Sequence, residues 1–241
     1  MKVFAHRGLS SIAPENTMAA FERAIVINVD GIETDVQLSR DGKIVICHDE
    51  KVDRTTNGRG YIKDYTWGEL QAFDAGSWFS PEFANARIPG LEDLLNLVRT
   101  TDLCLNIELK TDKVFYPQIE EKVLELLEKY DFVNRVRISS FNFESLLKVK
   151  AILPQIETAA IMKDPNLVSN FWDQISDLTV KAIHPSYQYV TTELIDEARK
   201  RGLEVNAWTP NQPEEIRHLL KIGTHGVITD FPDRAQHIVE E

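Results

Sequence analysis

Acidic and basic side chains recur at short spacings along this chain. Glu33 and Asp35 are two residues apart in one β-rich run, and Glu108 and Lys110 are two apart in another. Because residues i and i+2 of a strand share a face, each pair is expected to point to one side. Converging carboxylates repel each other, and a hard divalent cation with oxygen ligands removes that conflict. The alternative is a buried ion-pair network in which Lys110 and Arg7 neutralise the acids, and the spacing alone does not choose between the two.

Two histidines, His6 and His48, lie at the ends of β-rich runs. A single histidine of this kind is most often a hydrogen-bonded polar residue without a catalytic role. Two of them beside acids and cations favour general acid–base catalysis, in which one takes a proton from a nucleophile and the other gives one to a leaving group. Arg7 and Lys110 suit a phosphate, because arginine offers a planar fork and lysine a point charge. Together these residue types favour metal-assisted attack on a phosphoryl group.

The elements that must position these residues alternate between short β-branched runs and longer helical patterns. Eight runs share 241 residues, or about 30 residues for each strand–helix unit, which predicts an α/β fold of the (β/α)₈ TIM-barrel type. In such a barrel the working residues lie at the C-terminal ends of the strands. The predicted strands are Lys2–His6, Gly31–Val36, Leu103–Leu109, Arg135–Ser139, Glu157–Ile161, Val180–His184, Leu203–Ala207 and Gly226–Thr229.

Apolar residues at helical spacing predict the intervening helices. The predicted helices are Thr17–Val29, Leu91–Arg99, Pro117–Lys129, Glu144–Ile152, Asn166–Ile175, Thr192–Arg201, Glu214–Ile222 and Pro232–Val239. The pattern is weakest in Asn166–Ile175.

One segment after the second strand interrupts this alternation. Asp41-Gly42 between two β-rich runs predicts a hairpin. With the turn centred between Arg40 and Asp41, Glu33 would face His48 across it. Residues 49–89 then form a small insertion whose many aromatic residues predict a lobe packed on the barrel, within a single domain spanning residues 1–241.

Composition excludes several classes of protein. The chain has 43% hydrophobic and 27% charged residues and a net charge of −11, which argues against disorder and against nucleic-acid binding. No apolar stretch is long enough for a signal peptide or a transmembrane helix, so we expect a cytoplasmic protein without stable membrane insertion. Cys47 and Cys104 lie in apolar runs and are expected to be reduced, buried thiols. The oligomeric state is not predicted.

A series of motifs resembles the glycerophosphodiester phosphodiesterases, in particular the compact cytoplasmic bacterial members. The resemblance covers the chain from His6 to Pro232. The motifs are Ala5-His6-Arg7-Gly8, Ala13-Pro14-Glu15-Asn16-Thr17, Ile32-Glu33-Thr34-Asp35-Val36, Asp41-Gly42, His48-Asp49, Arg54-Thr55-Thr56-Asn57-Gly58, Ile88-Pro89-Gly90-Leu91-Glu92, Ile107-Glu108-Leu109-Lys110, Ser139-Ser140-Phe141, Ala207-Trp208-Thr209 and Ile228-Thr229-Asp230.

The resemblance implies roles for nine residues of this chain and a barrel with a small insertion after its second strand. It implies one divalent ion, Mg²⁺ or Ca²⁺, together with a small-molecule glycerophosphodiester substrate. The residues matching the family's motifs are Glu33, Asp35 and Glu108 for the metal, His6 and His48 for catalysis, Arg7 and Lys110 for the phosphate, Trp208 for the substrate pocket, and Asn16 as a polar residue near the metal.

The function expected from the residues and the resemblance is hydrolysis of glycerophosphodiesters to sn-glycerol 3-phosphate and an alcohol. His6 is interpreted as the base and His48 as the acid, and the first nucleophile is either water or the glycerol 2-hydroxyl. Two alternatives stay open: a related phosphodiesterase acting on lysophospholipids or a phosphoinositide-like substrate, and a metal-stabilised barrel that senses a phosphate metabolite without turning it over. A sensor has no need of two acid–base histidines, which argues against the second.

Overall fold

Eight parallel strands close into a barrel in a computed structural model that describes all 241 residues. The first strand pairs with both the second and the last, which closes the sheet, and a ninth short strand pairs antiparallel with the second. The strands are β1 (Lys2–His6), β2 (Gly31–Leu38), β3 (Ile44–Ile46), β4 (Cys104–Leu109), β5 (Val136–Ser140), β6 (Glu157–Met162), β7 (Ala182–Pro185), β8 (Glu204–Trp208) and β9 (Gly226–Thr229). The predicted (β/α)₈ barrel is confirmed.

Eight helices cover the outer surface of the barrel, and one four-residue helix lies in the insertion. They are α1 (Met18–Val26), α2 (Trp67–Leu70), α3 (Leu91–Val98), α4 (Ile119–Lys129), α5 (Phe143–Ile152), α6 (Phe171–Leu178), α7 (Thr192–Lys200), α8 (Pro213–Ile222) and α9 (Pro232–Glu240). Local chemistry sets several of their ends: the Thr17 hydroxyl accepts from the Ala20 amide at the start of α1, and Gly223, at φ +83°, ends α8. No helix has both the length and the apolar character needed to cross a bilayer.

Apolar side chains fill the layer between the strands and the helices. One group lies around β2 and β4, where Phe21, Ile32, Leu94 and Ile107 are fully buried, and a second group lies around β7 to β9. The barrel interior is polar by contrast, because Asn106 donates to Ser139 and Asn206 contacts the ring of His184 there. The hydrophobic core therefore lies between the barrel strands and the helices, and polar side chains occupy the barrel interior.

Residues 49–89 pack on a small core of their own beside the hairpin strand β3. Val52, Ile62 and Leu70 are fully buried there against Val45, with Phe73 packed at the edge. The lobe is tied together by backbone hydrogen bonds, such as those from Val52 to Gly60 and from Ile62 to Glu50. The insertion is thus a packed element that can hold side chains in fixed positions near the barrel rim.

Three local predictions are wrong. The hairpin pairs Val36 with Ile46 and Leu38 with Ile44, one residue out of the predicted register, because Gly42 takes a left-handed conformation (φ +78°) and the loop closes from Ser39 to Lys43. The predicted helix Asn166–Ile175 begins only at Phe171, since Pro165 starts a separate single turn before it.

The third wrong prediction concerns a cysteine. Cys104 is exposed, whereas Cys47 is buried as predicted. Cys104 is the first residue of β4 and stands at the open N-terminal end of the barrel, so its position in an apolar run does not bury it.

Candidate active site

Three buried carboxylates converge at the C-terminal end of the barrel. Glu33 and Asp35 project from β2 and Glu108 from β4, and the strand register places Asp35 beside Glu108. One carboxylate oxygen from each residue can be chosen so that the three lie within 4.8 Å of one another. The i, i+2 spacing on β2 therefore does place its two acids on one side.

Two basic side chains pair with this acidic cluster. The Arg7 Nε lies 3.4 Å from an oxygen of Asp35, and the Lys110 Nζ lies 2.7 Å from Glu108 and 3.9 Å from Asp35. Glu33 has no lysine or arginine side chain within ion-pair distance and accepts only from the Arg7 backbone amide, at 3.1 Å. Arg7 also pairs with Glu15, at 2.8 Å, so these two cations do not neutralise three ionised acids and the ion-pair network alone does not balance the cluster.

The pKa values of the carboxyls follow from burial and mutual repulsion. Burial, with the charges of Asp35 and Glu108, raises the pKa of Glu33 well above its usual value. Burial and Asp35 raise the pKa of Glu108 to about 7. Burial also opposes ionisation of Asp35, but Arg7 outweighs it with help from His48 and Lys110, and the pKa of Asp35 falls to about 2.

The cluster fits a divalent cation with oxygen ligands. Asp35 Oδ1 is buried without a hydrogen-bond partner, while its Oδ2 accepts from the Asn16 amide at 2.8 Å. Asn16 is in turn held by a hydrogen bond from Thr34. A buried carboxylate oxygen without a partner is costly away from water, and a cation would relieve that cost together with the repulsion.

A tight turn after β1 places Arg7 over the acids. Arg7 and Gly8 both have left-handed backbones, at φ +58° and φ +82°. A Cβ on Gly8 would lie 2.7 Å from the backbone of Ala20 on α1, so only glycine fits at this position. The turn is tied to β2 by the Arg7 amide, which donates to the Glu33 carbonyl at 2.9 Å.

His6 is oriented by an aspartate from the opposite end of the sequence. Its Nδ1 lies 2.6 Å from Oδ1 of Asp230, which follows β9, and a carboxylate partner requires the proton on Nδ1. The other ring nitrogen, Nε2, faces Glu33, 3.9 Å away. Burial opposes ionisation of Asp230, but His6, Asn211 and Ser10 together outweigh it and lower the pKa of Asp230 to about 2.

His48 reaches the same site through the hairpin. Because β3 runs antiparallel to β2, it returns the chain to the barrel rim, where the Cys47 amide donates to the Asp35 carbonyl. The His48 Nδ1 lies 2.6 Å from Asp49 Oδ1, which again leaves Nε2 free. Burial lowers the pKa of His48, and Arg7 and Lys110 lower it further against the opposite effect of Asp35.

A cavity of about 190 Å³ lies above these groups and has one apolar wall. Phe141 and Trp208 form that wall, packed edge to face with ring centres 5.9 Å apart. The wall can accept the carbon skeleton of a ligand, while the opposite side offers charges and imidazoles. A larger cavity of about 350 Å³ opens at the N-terminal ends of the strands but contains no comparable acidic cluster.

The structure brings all nine sequence-predicted site residues together. Six of them line the cavity: His6, Arg7, Glu33, His48, Glu108 and Trp208. The other three, Asp35, Lys110 and Asn16, contact these residues or one another.

Sequence reasoning assigned no role to Asp230, Asp49 or Phe141. Asp230 and Asp49 directly follow a strand end and a histidine, respectively, which is the signal that could have identified them. The contacts of Asp230 with His6 and of Phe141 with Trp208 depend on pairings of distant segments, which spacing along the chain does not reveal.

Comparison with known proteins agrees with this geometry. Residues 6–234 match the model of the glycerophosphoryl diester phosphodiesterase family. Proteins named glycerophosphodiester phosphodiesterase from Caldanaerobacter subterraneus and Bacillus altitudinis are each 41% identical to the chain, covering 99% and 100% of it and 98% of their own length. An Oleispira antarctica phosphodiesterase, solved with the product sn-glycerol-3-phosphate, superimposes with a TM-score of 0.92 at 30% identity, covering 100% of this chain and 97% of its own.

The fold and the site thus define a (β/α)₈ enzyme with an acidic cluster and two histidines at its mouth. The chain belongs to the glycerophosphoryl diester phosphodiesterase family, a family of phosphoric diester hydrolases. The family resemblance stated from the motifs is confirmed.

Replacing Asp230 with Asn tests the orientation of His6. An amide can present its NH₂ group to Nδ1, which moves the ring proton to Nε2 and removes the free lone pair. We expect turnover of a glycerophosphodiester to fall on the order of 10²-fold, within the range of a lost acid–base role, with little change in KM. Asp233→Asn, an exposed position three residues on, is the matched control. Equal turnover in the two variants would show that Asp230 does not orient the ring.

Proposed function

We propose that the protein hydrolyses glycerophosphodiesters to sn-glycerol 3-phosphate and an alcohol, with His6 and His48 as the acid–base pair and a divalent cation at the acidic cluster. The observation that carries this proposal is the lining of one 190 Å³ cavity by both imidazoles, the Arg7 guanidinium and two of the three clustered carboxylates. Two similar curated proteins bear the name of this activity, and the similar Oleispira structure holds its product.

The cation would be held by Glu33, Asp35 and Glu108, and when bound it would supply positive charge to a phosphoryl oxygen and to the glycerol hydroxyls. Arg7 and Lys110 add fixed positive charge beside the phosphate. Lys110 stays protonated: burial favours its neutral form, but Glu108 outweighs this and raises the pKa of Lys110. Positive groups that are already in place stabilise the charge that develops on the phosphoryl oxygens.

The two histidines act at opposite sides of the phosphorus. His6 Nε2 takes the proton of the nucleophile, and the bond between phosphorus and the alcohol oxygen breaks as that oxygen receives a proton from His48. The nucleophile is water or the glycerol 2-hydroxyl, which would form a cyclic phosphate that is then opened by water. Both routes end in sn-glycerol 3-phosphate and the free alcohol.

The surroundings of the two aspartates support this order of roles. Asp230 is held by neutral donors, Ser10 and Asn211, so its full charge is available to stabilise a protonated His6. Asp49 also binds Arg54, which offsets its charge, and burial lowers the pKa of His48. Asp230 can therefore stabilise a proton on His6, whereas the charge behind His48 is partly offset by Arg54.

Release of sn-glycerol 3-phosphate from a panel of diesters tests the function. Glycerophosphocholine, glycerophosphoethanolamine, glycerophosphoglycerol and glycerophosphoinositol are assayed, with lysophosphatidylcholine as the test of a lipid substrate. We expect release from at least one soluble diester, abolished by thorough chelation and restored by Mg²⁺ or Ca²⁺. Activity that is indifferent to metal removal would contradict the role of the cation, and ligand binding without product release would indicate a sensor.

A second prediction concerns the stability of the metal-free protein. The folded pKa values of Glu33 and Glu108 are raised above 4.5, so the native state binds more protons than the unfolded state and loses stability as pH rises above about 5. We expect Glu33→Gln to be more stable than the wild type at pH 8 in chelator. Added Mg²⁺ or Ca²⁺ should raise the Tm of the wild type but not the Tm of Glu33→Gln. At a metal concentration of 100 times Kd, the gain in the free energy of unfolding is about 2.7 kcal/mol. An equal rise in Tm of the wild type and of Glu33→Gln on addition of metal would show that the cation binds away from Glu33.

A change of leaving group separates the roles of the histidines. His6→Ala and His48→Ala should each lower turnover of glycerophosphocholine on the order of 10²–10⁴-fold. With a p-nitrophenyl ester of glycerol phosphate, the phenolate leaves without a proton at neutral pH, so the loss in His48→Ala should shrink while the loss in His6→Ala persists. The reverse pattern would exchange the two roles. Near-normal turnover of both variants would reject the histidine pair.

A further inference from the structure

Five charged or ionisable side chains form a continuous chain of contacts beside the cavity. They run from His48 through Asp49, Arg54 and Glu15 to Arg7. The end contacts are 2.6 Å from the His48 Nδ1 to Asp49 Oδ1 and 2.8 Å from Glu15 Oε1 to the Arg7 Nη1. The acid–base imidazole and the phosphate-binding guanidinium of the proposed function are therefore the two ends of one network.

Arg54 is the central member and binds both carboxylates with two hydrogen bonds each. Nη1 and Nη2 donate to the two oxygens of Glu15, at 2.6 and 2.7 Å. Nε and Nη2 donate to the two oxygens of Asp49, at 2.8 and 3.1 Å. A planar guanidinium that binds two carboxylates in this way fixes the position and orientation of each relative to the other.

The two carboxylates pass this constraint on through shared atoms. Asp49 Oδ1 accepts from Arg54 and also contacts the His48 ring, and Glu15 Oε1 accepts from both Arg54 and Arg7. Burial disfavours the charge on Glu15 and Asp49, but Arg54 together with Arg7 on Glu15 and with His48 on Asp49 outweighs it, and the pKa of both is lowered. Both stay ionised acceptors at neutral pH.

The network joins two segments that are far apart in the sequence. Glu15 lies in the loop between β1 and α1, whereas Asp49 and Arg54 belong to the start of the insertion after β3. The side chain of Glu15 is 13% exposed, and that of Arg54 is 44% exposed at the surface above it. The insertion thus reaches the catalytic end of the barrel through Arg54.

We propose that Arg54 is a positioning residue, which sets the His48 imidazole and the Arg7 guanidinium in register by holding Asp49 and Glu15 together. This inference rests on the proposed function, which gives His48 and Arg7 their roles. It gives Arg54, in the Arg54-Thr55-Thr56-Asn57-Gly58 motif, and Glu15, in the Pro14-Glu15-Asn16 motif, a role in positioning the site. The insertion then contributes to catalysis through Arg54 in addition to packing on the barrel.

The test compares Arg54→Gln and Arg54→Lys with Arg40→Gln. Arg40 is the matched control, because it also ties the hairpin to the insertion, through Asp64 and Glu69, but contacts no residue of the site. We expect Arg54→Gln to lower kcat on glycerophosphocholine about 10- to 100-fold, Arg54→Lys to recover only part of that loss, and Arg40→Gln to stay within about twofold of the wild type. Lysine restores the charge but cannot bridge two carboxylates bidentately.

Two further readouts separate positioning from a structural role. With the p-nitrophenyl leaving group the Arg54→Gln loss should shrink, as for His48→Ala. Nitrogen NMR of the His48 ring should show a protonated Nδ1 in the wild type and in Arg40→Gln, and only partial protonation of Nδ1 in Arg54→Gln. The inference would be overturned if Arg54→Gln and Arg40→Gln had the same kcat and the same ring spectrum, with equal drops in Tm. If no diester is turned over by the wild type, the proposed function fails, whereas the ring spectra still test the positioning by Arg54.

Discussion

Burial of three carboxylates around one point is the constraint on which the rest of the site depends. Each of Glu33, Asp35 and Glu108 would be solvated in the unfolded chain, and bringing them together out of water costs several kcal/mol per uncompensated charge. Arg7 and Lys110 offset part of this cost. The left-handed turn at Arg7 and Gly8 contributes to this offset, because it places the Arg7 guanidinium beside Asp35 and the Arg7 backbone amide beside Glu33.

The hairpin solves a second problem of the barrel. Parallel strands all deliver their C-terminal ends to the same rim, so one βα loop per strand is the usual source of site residues. Strand β3 returns the chain from beyond the rim, and Gln37 fixes its exit by donating to the carbonyls of Cys47 and Asp49. His48 is therefore held by β2 and β3 together, a more rigid support than a loop would offer.

Local pattern predicted most of the fold because strand and helix periods are properties of adjacent residues. The bounds of β1 and β9 match the predicted strands, and the i, i+2 rule placed Glu33 and Asp35 on one side of β2. The exposure of Cys104 and the hairpin register failed, because each depends on an end effect: the open end of the barrel and the conformation of Gly42. Periodicity contains no information on either.

Two contacts that orient site residues lie beyond local pattern for a different reason. Asp230 reaches His6 across 224 positions of sequence, and Arg54 reaches Glu15 across 39. Only closure of the barrel between β1 and β9, and packing of the insertion on the rim, bring these pairs together. Residue type and motif predicted which side chains form the site. The contacts that orient those side chains follow from the topology of the fold.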